Sequence, residues 1–330
     1  MVNRKHHDTM PALSIVMPAF NVAEYIDRAI DSVLAQTFTD FELVIVDDVS
    51  TDDTWEIVKR RAAADARIKP FRAEENAGVG PTINRGIQLS RAPLIGRLDA
   101  DDMATPDRFQ KQIALLEANP HFAVVGSYAS HINENDDILS LSPTGPSSEE
   151  EYHELRDRGE PTMVFGGSAL FRRELFDRVG GFDPALVNAE DLDLFDRMSD
   201  YGPVVAVPEP LLLYRLHGDS NVRRTFFEGR QIHRWVYTRR EARHSGLATL
   251  SYDEFKAWEC SLPIWKRAYI WLEDRSQLYY REAGLAYGNR DVLQLALNLA
   301  KAVLANPLWV TRRLWNQRLS PAARAKRRQR

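Results

Sequence analysis

The 330-residue chain is 44% hydrophobic, carries a net charge of −4 and contains one cysteine, Cys260. That length can bury one large core or two, a single thiol excludes a disulfide framework and a Cys-based metal centre, and no run reaches the roughly 18 apolar residues of a membrane-crossing helix. The charge is uneven: Arg312, Arg313, Arg318, Arg324, Lys326, Arg327, Arg328 and Arg330 close the chain without an acid among them, leaving −12 for the rest. Such a tail is either a solvated terminus or a segment drawn to an anionic membrane or nucleic acid. Asp8, the His6-His7 pair and Pro18 interrupt the N-terminal stretch, so no signal peptide is expected, and the single thiol points to a reducing, cytoplasmic setting.

Residues 1–11 read as a flexible start. "ALSIVMP" (12–18) is a strand, after which Asn21 and Glu24 have the spacing of a capping box and Phe20 can staple against Tyr25. Ile26, Ala29, Ile30, Val33 and Leu34 then recur on one helical face. "FELVIVDD" (41–48) is a continuously apolar strand, "STDDTWEIVKRRAAA" a second helix and "IKPF" a third strand. Pro81 opens the helix "PTINRGIQLS", and "PLIGRLD" leads into "RLDADD" (97–102). This alternation predicts a parallel sheet between layers of helices. Right-handed crossovers carry its strand C-termini to one edge, where such sheets bind ligands. Phe20, Asp47, Asp48 and Asp99 all fall there.

Further on, "HFAVVGSYASHIN" and "MVFGGSALF" read as strands, "AEDLDLFDRMSDYG" as a helix closed by Gly202, and "VVAVPEPLLLYRLHG" (204–218) as a strand and bend. Beyond residue 222 the pattern is helical and aromatic. Trp265, Trp271, Trp309 and Trp315 fit helical core, or else amphipathic helices lying on a membrane face.

"PAFNVAEY" contains no glycine, and neither G-x-G-x-x-G nor a P-loop occurs, which removes ordinary dinucleotide and P-loop sites. In "RLDADD" three carboxylates occupy four positions. They are solvated, capping a helix that begins near Pro106 through Asp102 or Thr105, or holding Mg²⁺ or Mn²⁺ between Asp99, Asp101 and a diphosphate. "EDLD" (190–193) is an acidic helix start of the kind the helix dipole favours.

Taken together, "SIVMPAFNVAEYIDRAIDSVLAQTFTDFELVIVDDVSTDDT", "NAGVGPTINRGI", "GRLDADDMATPDRFQKQ", "GGSALFRRELFDRVGGFDP", "AEDLDLFDRM" and "YRLHGDSN" resemble, in order, the family 2 glycosyltransferases of GT-A fold. The resemblance covers about residues 12–221. It implies an α/β fold, a mostly parallel doubly wound sheet flanked by helices. The nucleotide-binding half would be 12–102 and the acceptor-binding half 103–221, followed by a helical region at 222–319 and a basic tail at 320–330.

It also implies an inverting transfer from a nucleotide sugar, expected to be a UDP-sugar, to a glycan or lipid-linked acceptor, with Mn²⁺ or Mg²⁺ as cofactor. Pro18, Phe20, Asp48, Asn76, Asn84 and Asp99 would bind the donor. Asp101, Asp99 and His217 would hold the metal, and Asp191 with Glu190 would supply the catalytic base. An anionic membrane surface is an expected partner and nucleic acid is not. Ile83 precedes Asn84 where many relatives have an arginine, which leaves that helix's diphosphate contacts open. The alternatives are a sugar-nucleotide pyrophosphorylase, which would need a Gly-rich basic loop absent from "PAFNVAEY"; a D-x-D phosphatase; and an inactive glycan-binding or scaffold relative, against which the intact acid set argues.

Overall fold

The computed structural model describes residues 10–160, 162–216, 225–288 and 291–315. They form two compact units: Met1–Thr225 with Ile232–Leu247, and Phe226–Gln231 with Ala248–Arg330.

The first unit is built on a nine-stranded sheet. Strands β1 (Leu13–Ala19) and β2 (Phe41–Asp47) are buried almost throughout, as continuous apolar runs require when both faces are covered. They pair in parallel with each other, β2 pairs with β3 (Ile68–Arg72), and β1 pairs with β4 (Leu94–Arg97). Between them run helices α1 (Ile26–Leu34), α2 (Thr54–Ala64) and α3 (Val79–Leu89). Side-chain alternation along β1 feeds two cores: Leu13, Ile15 and Met17 pack with Ile30 and Phe109, while Val16 packs with Val44, Ile83 and Phe171. A Cβ on Gly86 would stand 2.4 Å from Val16 Cγ1, so α3 lies on β1 only because that position is glycine.

After β5 (Met103–Ala104) and α4 (Arg108–Ala118) the sheet becomes mixed. β6 (Val124–Ile132) pairs with β7 (Ile138–Ser142) and β8 (Leu170–Arg172) in antiparallel fashion and with β9 (Val204–Arg215) in parallel, while β8 is antiparallel to β4. The order β3-β2-β1-β4-β8-β6-β9-β5 thus joins the parallel half to a mixed one through β8. Helices α5 (Glu149–Asp157), α6 (Arg173–Val179), α7 (Glu190–Met198) and α8 (Phe226–His244) complete the described secondary structure as far as residue 247.

Several local expectations change. The capping box at Asn21 and Glu24 does not form: α1 begins at Ile26 with no side-chain cap, because Asn21 takes φ = 52° and turns its amide toward Thr51. Phe20 is 45% exposed instead of stapled. "MVFGGSALF" is not one strand, since Gly166–Ser168 forms a turn of 3₁₀ helix before β8.

The second unit contains α9 (Tyr252–Ser261), started by a full Ser251–Glu254 capping box, then α10 (Ile264–Gly288), α11 (Val292–Ala305) and α12 (Pro307–Leu314). Its interior includes Phe255, Ser276, Ala302 and Val310. Trp265, Trp271 and Trp315 are not core, being 66%, 55% and 55% exposed, because the segments that carry them pack on too little of the unit to cover indole rings.

Candidate functional site

The loops that follow β1 and β2 are laced together. Asn21 N–H donates to Ser50 Oγ, Asn21 Oδ1 accepts from the Thr51 amide, and Asp52 accepts from Ala23 N–H and Thr54 N–H. Val49 sits at φ = 63°, a conformation that a β-branched residue adopts only when its surroundings impose it. Asp48 is buried, and its two carboxylate oxygens accept the amides of Ala77 and Gly78, 2.9 Å each, while the Asn76 amide donates to the Asp48 carbonyl. Asp48 and Asn76 therefore clasp the loop leading into α3. Pro18 is partly buried opposite Val46. Asn84, expected at the donor, commits its amide to the Phe182 backbone in both directions, at 2.8 and 3.0 Å, which pins α3 to the segment before α7.

The next group stands where β4 ends. Arg97 is almost fully buried, and its Nη2 lies 3.0 Å from Asp99 Oδ1 and 3.6 Å from Glu190 Oε1. Its positive charge is strengthened by these acids and by Asp191, which outweigh the cost of burial. Directly behind it, the fully buried Arg108 donates from Nη2 to the Arg97 carbonyl and from Nε to Gln112, whose amide reaches the carbonyls of Val125 and Ser168. Burial pulls Arg108 down to about 9, against the attraction of Asp102 and Asp99.

Asp102 neither caps α4 nor faces solvent. Its Oδ1 accepts the Arg215 amide at 2.8 Å, and its buried Oδ2 has no hydrogen-bond partner. Burial, then repulsion from Asp101 and Asp99, pushes its carboxyl well above the usual range. The Arg215 side chain, buried in β9, donates to the carbonyls of Asp101 and Asn133 and pairs with Asp136 at 2.6 Å. The acid loop is thus fixed from β9, 113 residues away in sequence.

Helix α7 brings the remaining acids. It starts after Ala189, held at φ = 53° in the left-handed region. Glu190 is buried and pushed up to about 7, first by burial and then by Asp191, with Arg97 opposing. Asp191 is partly exposed, and burial of its carboxyl raises it as well, again against Arg97. Its meeting with Asp99 is marked by two glycines. A Cβ on Gly166 would stand 2.7 Å from Asp191 Oδ2 and 2.6 Å from Arg97 Nη1, and one on Gly167 would stand 3.0 Å from Asp99 Oδ2. Asp193 does not face solvent: it is buried between Arg197 and Arg239, while Asp196 pairs with Arg239 and Arg243. These pairs tie α7 to α8.

The structure therefore gathers Asp99, Glu190 and Asp191 around Arg97, with Asp101 and Asp102 on the adjoining loop. Phe20, Asp48 and Asn76 lie at the neighbouring strand ends of the same sheet edge. Asn84 is turned to another task, and His217 lies outside the described residues. Among the described residues no three His, Cys, Asp or Glu side chains form an all-protein metal cage. Asp99 and Asp101 nevertheless fit a cation: they are hard oxygen donors, and Mg²⁺ or Mn²⁺ is commonly held by one or two carboxylates with phosphate and water completing its shell. Sequence reasoning missed Arg97, Arg108 and Arg215. The available signal was an arginine at the inner end of two apolar strand runs, "LIGR" and "LLLYR".

Comparison with known proteins gives the family and the fold. The family model described as Glycosyl transferase family 2 matches residues 14–180. The chain is 29% identical over 211 residues to the chondroitin synthase of Escherichia coli, covering 64% of this chain and 30% of that protein, so it spans about a third of that relative's length. The mannosyltransferase PcManGT from Pyrobaculum calidifontis, in complex with GDP-Man and Mn²⁺, superposes with a TM-score of 0.56 at 20% identity, covering 92% of this chain and 84% of the other. Residues 1–349 of TarS from S. aureus, in complex with UDP-GlcNAc, give 0.56 at 16% identity, covering 91% of each chain. At these identities the two structures establish a shared fold.

Proposed function

The chain belongs to glycosyl transferase family 2, and on that premise we propose that it moves a sugar, with inversion, from a nucleotide sugar to a hydroxyl of a glycan or glycolipid acceptor. The observation that carries this reading is the Gly166–Gly167 turn, with Asp191 against one glycine and Asp99 against the next. A base and a diphosphate-side acid belong close together when one sugar carbon is attacked from one face and loses its leaving group from the other.

In this reading Asp191 accepts the proton of the acceptor hydroxyl as its oxygen attacks. It keeps access to solvent and is held by the Leu192 amide, which donates to Oδ1 at 2.8 Å. Burial raises both carboxyls of the Glu190–Asp191 pair, and Arg97 limits that rise. Phe20, exposed beside the Asp48 clasp, offers its ring to the nucleotide base. Asp99 and Asp101 would hold a divalent metal, with His217 as a further ligand; bound there, it would neutralise charge growing on the departing diphosphate. A UDP-sugar is the proposed donor, a class represented by the UDP-GlcNAc bound to TarS.

The test is Asp191→Asn. Donor binding, followed by calorimetry with a panel of nucleotide sugars and Mn²⁺, should stay within a few-fold of the parent, while transfer drops by about 100-fold or more. Unchanged transfer would remove Asp191 from the base role. Asp101→Ala should weaken donor binding only when metal is present.

A further inference from the structure

Among the described residues, most of the exposed large hydrophobic side chains lie in the second unit. The first nine residues of α10, Ile264 to Leu272, are uncovered apart from the half-buried Ile270. Ile264 is 82% exposed, Trp265 66% and Tyr269 58%. Packing begins further along, where Ser276 Oγ donates to the Ala302 carbonyl at 2.9 Å and the rings of Tyr280 and Trp309 meet at 5.5 Å.

Asp291 N–H bonds the Ala286 carbonyl, so α10 and α11 run antiparallel, with 286 near 291 and 276 near 302. The overhanging start of α10 therefore lies at the same end of the unit as Leu304 and Leu308, which are 84% and 81% exposed. The sequence has no acid from Leu262 to Leu272 or from Val292 to Trp315, whereas Lys266, Arg267, Lys301, Arg312 and Arg313 occur there; Glu273 and Asp274, next along α10, are paired with Arg230.

Tryptophan and tyrosine mixed with lysine and arginine suit the boundary between lipid headgroups and acyl chains. A second copy of the chain would set like charges against one another, whereas an anionic surface complements them. No helix among the described residues is long and apolar enough to cross a membrane. We propose that this end of the second unit docks on an anionic lipid bilayer, its aromatic side chains entering the headgroup layer beneath the flanking cations. The proposal rests on no assumption about the reaction.

It is tested by sedimenting the full chain with phosphatidylcholine vesicles, with and without phosphatidylglycerol. Binding should require the anionic lipid and should decline as salt is raised. The triple variant Trp265→Ser, Tyr269→Ser, Trp271→Ser changes only exposed positions, so its melting curve should match the parent while vesicle partitioning falls on the order of tenfold or more. Arg312→Gln with Arg313→Gln should lower partitioning on the order of tenfold. Absence of binding, equal binding to neutral vesicles, or unaltered partitioning of the triple variant would overturn the proposal. So would a concentration-dependent dimer in light scattering that the triple variant dissolves.

Discussion

Replacing Arg97 with glutamine removes a cation placed between Asp99 and the Glu190–Asp191 pair, 3.0 Å from Asp99 Oδ1 and 3.6 Å from Glu190 Oε1. Two unit charges about 4 Å apart at an effective dielectric near 20 interact by roughly 4 kcal/mol, which is about three pH units at 1.36 kcal/mol each. Water entering the vacated space returns part of this, so an upward shift of about one to three units is expected for the pair. The direction follows from the causes: burial pushes both carboxyls up, Glu190 to about 7, and Arg97 is the charge that opposes it. A base acts when deprotonated, so the acid limb of kcat/KM should move up with the pair. The assay is nucleoside diphosphate release during transfer, followed from acidic to alkaline pH. Arg97→Lys keeps the charge without the forked geometry, and should lose rate while holding the limb near its original position. An unmoved limb in Arg97→Gln, despite a lower rate, would refute the electrostatic argument and leave Arg97 as packing alone.

Other outcomes follow from the same geometry. Gly166→Ala drives a methyl to within 2.7 Å of both Arg97 Nη1 and Asp191 Oδ2, and displacing the pair should cost on the order of 100-fold in kcat with a smaller change in donor affinity by calorimetry. Glu190→Gln should stabilise the fold at neutral and alkaline pH. The folded carboxyl keeps its proton to about 7 where the unfolded one loses it near 4.5, so parent stability falls across that window by about 3 kcal/mol. Urea titrations of parent and variant at pH values on either side should converge at the acid end. Arg239→Ala strips a partner from buried Asp193 and Asp196 and should destabilise the chain by about 3 kcal/mol; full stability in Arg239→Ala would mean that the two neighbouring arginines suffice.

The parallel half of the sheet was legible because β1 and β2 are continuous apolar runs, each followed by a helix, and such units pair with near neighbours in sequence. The mixed half was not, since β8 is three residues long and its partners lie on β4 and β6. The acids of the site could be read from their clustering and from the family resemblance. What holds them could not: Arg97, Arg108 and Arg215 look like ordinary surface cations until the sheet closes over them. Asn21 and Asn84 mislead for a related reason, because a short amide satisfies a local cap and a distant backbone equally well and only the tertiary structure selects. Asp193 belongs with them: it sits in an acidic helix start, yet two arginines bury it, one of them on α8.

Arg215 has a consequence for how the chain can be divided. The segment that matches the family, residues 14–180, contains Asp99, Asp101 and Asp102, yet the backbone amide that holds Asp102 and the guanidinium that holds the Asp101 carbonyl arrive only with the last strand of the sheet. A fragment ending at residue 180 would possess every letter of the acid motif and lack the bolt that sets its shape. Synthesis in chain order has the same implication: the acid loop gains its last anchor only when β9 takes its place beside β6, and a nascent chain short of that point is a scaffold not yet armed.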